Sequence, residues 1–186
     1  MVFGKKKFNF NKYVIMKKII ILCLLMTCFG CVANANNGSS QGASKENTKT
    51  FKKYGFSITA PCVLEDKTVL GMGNDAYYVG TVGNPGNATS YQVVVKKIPK
   101  SINDCTEAEQ NEMMDQIKSS GFTNVEKVLF SDHKYPGFIG DKHEDADTVR
   151  AVMFNKDKYM IVFTVITNSD LDKKFKEFTS SFKVIN

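Results

Sequence analysis

Residues 51–186 of this 186-residue chain predict a single α+β domain, an antiparallel sheet packed by two helices. Three observations carry this expectation. Several short segments alternate apolar and polar residues with the period of a half-buried strand. Two longer segments carry apolar residues at helical spacing behind a capping residue. No internal repeat and no second linker interrupts residues 51–186, and these 136 residues suffice for one real core.

The elements follow in order. "FSITA" (56–60) sets Phe56, Ile58 and Ala60 against Ser57 and Thr59, and Pro61 ends the strand. "DAYYVGTV" (75–82) and "TSYQVVVKKI" (89–98) flank "GNPGN", a Gly/Pro/Asn turn, and are expected to pair as a hairpin. Thr106 and Glu109 form a T-x-x-E capping box; Gln110, Met113, Met114 and Ile117 share one helical face, and Gly121 stands where a helix stops. The strand period returns in 125–130, 148–154 and 159–166, with "NKDK" as the turn between the last two. A final helix is expected behind Ser169 as its cap, with Asp172 three residues on. Its stripe of Leu171, Phe175, Phe178 and Phe182 is core-facing.

Ahead of the domain lies an export signal. Met16-Lys17-Lys18 precedes the apolar run 19–29, a charged start and an h-region too short to span a bilayer. Residues 1–15 are either a long n-region or an upstream extension of the reading frame, since Met16 makes a normal start. Residues 32–50 hold Asn, Gly, Ser, Ala, Gln and Lys with no apolar periodicity, the composition of a flexible tether. The expected organisation is thus a signal in 1–30, an anchor and tether in 31–50, and one domain in 51–186.

Composition changes meaning once the signal is set aside. The chain carries 25 Lys plus Arg against 19 Asp plus Glu, but six of the Lys and none of the acids fall in residues 1–30. The remainder is electrically neutral, which removes the electrostatic basis for nucleic-acid binding. Neither G-x-G-x-x-G nor G-x-x-x-x-G-K-[ST] occurs, so no nucleotide cofactor is expected.

The segment ending in Gly30-Cys31 resembles the signal of a bacterial lipoprotein, in which a short apolar and small-residue box precedes a cysteine that is lipidated. The resemblance implies that Cys31 takes a diacylglyceryl group and becomes the first residue of the mature chain. Leu25-Met26-Thr27-Cys28 is a rival box, and an ordinary cut near Ala33 or Ala35 is the non-lipidated alternative. Cys62 and Cys105, the two thiols left in an exported domain, are expected to form a disulfide.

"YGFSITAPCVLE" near the domain start and "LDKKFKEFTSSFKVI" at its end resemble the PsbP-like and Mog-like superfamily, which includes DcrB-like lipoproteins. The resemblance implies an α/β sandwich used as a binding or assembly module with no shared catalytic residues. The residues themselves agree with a non-enzyme. His133 and His143 lie in no H-E-x-x-H or zinc-ligand spacing, and there is no G-x-S-x-G elbow. In "DKHEDAD" Asp141, His143, Asp145 and Asp147 alternate as in a calcium loop, but Ala146 replaces the required Gly and Val152 the closing Glu. His143 with Asp145 is the weak metal candidate, against a solvated acidic turn. The expected function is a lipid-anchored envelope protein, on the periplasmic or outer-membrane side or the outer face of the plasma membrane. It is expected to use a non-catalytic domain to bind an envelope protein partner. A small-ligand or metal-binding lipoprotein is the alternative, and a hydrolase the third.

Overall fold

The structure is a computed structural model that describes residues 47–69, 73–84 and 86–185, apart from the side chain of His133. The expected signal, Cys28 and Cys31 lie outside the described residues. Among the described residues ten strands form two antiparallel sheets. A seven-stranded sheet runs β3-β4-β5-β9-β8-β7-β6, from Glu65–Asp66 (β3), Ala76–Val82 (β4), Thr89–Lys97 (β5), Thr123–Leu129 (β6), Tyr135–Glu144 (β7), Asp147–Lys156 (β8) and Tyr159–Thr167 (β9). A three-stranded sheet runs β1-β2-β10, from Asn47–Phe51, Phe56–Ala60 and Lys183–Val184.

Side-chain alternation gives the large sheet two apolar faces. Val94, Val162, Met153 and Phe138 point to one, which packs against Met113 and Ile117 of helix α1 (Glu107–Ser119). Val93, Val95, Ile161, Phe163 and Phe154 point to the other. That face is covered by Phe175 and Phe178 of helix α2 (Leu171–Ser180) and by Phe56 and Ile58 of the small sheet. The second core is aromatic. Phe163 lies with its ring centroid 5.3 Å from Phe154, 5.6 Å from Phe178, 5.8 Å from Phe130, 5.9 Å from Phe182 and 6.0 Å from Phe56. One ring therefore joins the sheet, helix α2, the small sheet and the β6–β7 corner.

The local signals act as expected at α1. Thr106 accepts from the Glu109 amide while Glu109 accepts from the Thr106 amide, and Gly121 follows the helix at φ +92°. The 83–87 turn joins β4 to β5, with the Asn87 amide bonded to the Asn84 carbonyl at 2.9 Å.

Three expectations are corrected. Residues 47–50, read as the end of the tether, pair in register with Ser57 to Ala60, so the described fold begins at Asn47. The cap of α2 is Asp170, in a left-handed conformation and without a side-chain capping bond; Ser169 instead accepts from the Lys174 ammonium at 3.0 Å. Residues 135–144, given no element by their pattern, form the ten-residue strand β7.

Candidate binding surface

Cys62 and Cys105 are both free thiols, which overturns the expected bridge. Cys105 packs in the core beneath α1, its Sγ donating to the Ser101 carbonyl at 3.3 Å. Cys62 sits on the α2 face, so close to Gly80 that a Cβ there would lie 2.6 Å from its Sγ. The sheet lies between them. Burial pushes the Cys62 thiol up to about 11, which leaves it protonated and unreactive near neutrality.

The acidic segment is split by the fold. Asp141 and His143 belong to β7, Asp145 occupies the hairpin turn at φ +53°, and Asp147 opens β8. His143 Nδ1 meets the Thr148 hydroxyl at 3.1 Å. Asp141 is taken by Arg150, whose Nε and Nη2 donate to its two oxygens at 2.6 and 3.0 Å, while Nη1 donates to Asp172 of α2. The guanidinium also lies over the Phe175 ring. Burial by itself would raise the Asp141 carboxyl, but the bonds and charge of Arg150 outweigh it and hold the carboxyl below its ordinary value. Arg150 thus clasps α2 to the sheet. Among the described residues no three His, Cys, Asp or Glu side chains are placed to hold a metal together.

A lysine-lined concavity was not legible as a site in the sequence. It measures about 490 Å³ and lies between the 3-10 turn Lys52–Tyr54 and the β8–β9 hairpin. Tyr54 and Tyr159 meet edge to face at 5.0 Å and form its aromatic floor. The Lys53 ammonium lies 5.1 Å from the Tyr54 ring centroid and the Lys158 ammonium 5.6 Å from that of Tyr159. Lys52 and Lys156 complete the wall, and Asp157 is the one acid lining it. A hydrogen bond and charge from Tyr54 raise the Lys53 ammonium above its ordinary value, so it stays charged at neutral pH. The only hint in the sequence is that "KKY" and "KDKY" each set lysine beside tyrosine. The two segments begin 104 positions apart, at Lys52 and Lys156, and only the fold joins them.

A second concavity, about 460 Å³, opens between α2 and the end of β2. Tyr91 lines it, its hydroxyl pushed up to about 12, first by burial and then by Cys62 and Glu177. Lys174 beside it is occupied by Thr167 and Ser169, so this cleft presents no free cation of that side chain.

Comparison with known proteins yields fold and nothing finer. No family model matches the chain, and no curated protein does. Among solved structures it is similar to the solution structure of cyanobacterial PsbP (CyanoP) from Synechocystis sp. PCC 6803. The two share 17% identity over 81% of this chain and 98% of that one, with a TM-score of 0.55. The two-sheet α+β architecture is therefore the PsbP-like fold.

Proposed function

We propose that the chain is exported, lipidated at Cys31 and held at the cell envelope, where its PsbP-like domain serves as a non-catalytic binding or assembly module for an envelope protein. The observation that carries this reading is the run from Lys17-Lys18 through the apolar residues 19–29 to Gly30-Cys31, followed by a polar stretch that leads into the domain at Asn47. Two acyl chains or more anchor stably where one does not, since each buried methylene contributes about 0.8 kcal/mol. The chain enters the fold at Asn47, and the lysine-lined concavity begins at Lys52, one strand length of roughly 16 Å further on. That placement suits a domain presenting a charged face away from its point of attachment.

Affinity capture of the anchored protein from detergent-solubilised membranes tests the reading. It predicts a stoichiometric envelope protein that is lost when the domain is unfolded by Phe163→Ala at elevated temperature. Recovery of the protein alone, or from the soluble fraction, contradicts it.

A further inference from the structure

We propose that the concavity between the Lys52–Tyr54 turn and the β8–β9 hairpin is a binding site for a phosphate ester. The proposal rests on reading the domain as a binding module and names the chemistry of one of its surfaces. Four lysines, Lys52, Lys53, Lys156 and Lys158, line it with a single acid, Asp157, which pairs with Lys156. The arrangement is not a random lysine-rich surface, because Lys156 is built in. It is 8% exposed, and among the described residues its one salt-bridge partner is Asp157, at 2.7 Å, a side chain that is itself 73% exposed. An ammonium has three protons to donate, and burial makes undelivered ones costly. Gly55 gives this ammonium its room: it stands at φ +69°, and a Cβ there would sit 3.0 Å from Lys156 Nζ.

The ligand class follows from the side chains. Lysine binds phosphate as a point charge on a flexible stem, and a phosphate monoester carries about twice the charge of a carboxylate to set against a cluster of lysines. The only arginine in the chain, Arg150, is committed to Asp141 and Asp172. Half-buried Tyr159, set edge to face on buried Tyr54, offers aromatic surface to the body that carries the phosphate, and the volume is that of a small-ligand site. A lipid headgroup and a soluble sugar phosphate share this chemistry.

Calorimetric titration of the full-length mature protein with glucose 6-phosphate at low ionic strength tests it, with glucose as the control. The expected result is saturable binding of glucose 6-phosphate and none of glucose. Replacing two exposed lysines together, Lys53→Gln and Lys158→Gln, should weaken binding by about tenfold, with the melting temperature unchanged. Lys156→Met should abolish it; should that variant fail to fold, the exposed pair still decides. Flotation of Cys31→Ser protein with phosphatidylglycerol-containing vesicles, displaced by glucose 6-phosphate, assigns the ester to a lipid headgroup; binding of glucose 6-phosphate without flotation assigns it to a soluble ester. No saturable binding to either probe, equal binding of glucose, or binding that the lysine pair leaves unchanged overturns the site. Partner capture that persists alongside such a failure refutes the site and not the module.

Discussion

Phe163→Ala removes the ring on which the second core converges. The side chain is fully buried and contacts five other aromatic rings contributed by β2, the β6–β7 corner, β8, α2 and the segment after α2. A buried phenylalanine takes about 150–250 Å² out of water, worth about 4–6 kcal/mol at roughly 25 cal/mol per Å². Measured phenylalanine-to-alanine losses of about 3–5 kcal/mol agree, and they include the cavity left behind. We take about 4 kcal/mol, a large share of the roughly 5–15 kcal/mol that holds such a domain together. With a urea slope of about 2 kcal/mol per M, the midpoint falls by about 2 M while the slope is unchanged. Leu129→Ala is the control: that side chain is 55% exposed, and its loss should stay within about 0.5 kcal/mol. A Phe163→Ala loss below about 1 kcal/mol, or one no larger than the control's, would show that the two sheets and α2 do not share this core.

The remaining expectations concern thiols, the clasp and the acidic hairpin. Protein unfolded without reductant should take two alkyl groups, at Cys62 and Cys105, by intact mass; none would restore the bridge. In the folded protein at pH 8, Cys62, pushed from 9.0 to about 11, should react with iodoacetamide on the order of a hundredfold more slowly than an ordinary thiol. Asp141→Asn should cost about 2 kcal/mol at pH 7 by stripping Arg150 of its bidentate partner, read by urea denaturation. Because the folded Asp141 carboxyl lies below its ordinary value of 3.8, its contribution is present above that pH and lost as the pH falls through the folded value. The parent should therefore lose stability below about pH 4 more steeply than Asp141→Asn, and equal slopes would refute the clasp. His143→Ala and Asp145→Ala should each leave stability within about 0.5 kcal/mol, whereas a melting temperature that rises with micromolar zinc in the parent alone would make them ligands.

What could be read in advance was local. The capping box at Thr106 and Glu109 and the turn at 83–87 each satisfy backbone groups within a few residues, so the pattern carries the geometry. Strand β7 was hidden because Pro136, Gly137 and Gly140 interrupt any alternation and charged residues follow. Gly137 is there for packing, since a Cβ would fall 2.1 Å from the Met153 carbonyl oxygen of β8. Strand β1 was hidden because only Phe51 of its five residues is apolar; Thr48 and Thr50 are exposed, and the half-buried positions on the Phe51 face are the polar Asn47 and Lys49. The cysteine pairing failed for a related reason. Both thiols occupy element ends, as expected, but which face of the sheet an end reaches is fixed by strand parity and topology across the whole domain. The lysine concavity depends on the same long-range assembly, joining the turn after β1 to the hairpin after β8.

The central claim is that a lipid on Cys31 holds this PsbP-like domain at the envelope, and metabolic labelling with an alkyne fatty acid followed by membrane fractionation tests it most directly. The account predicts a labelled, membrane-bound parent and a Cys31→Ser protein that is unlabelled and released from the membrane. Label that survives Cys31→Ser contradicts it, as does a parent that is never labelled and fractionates as a soluble protein.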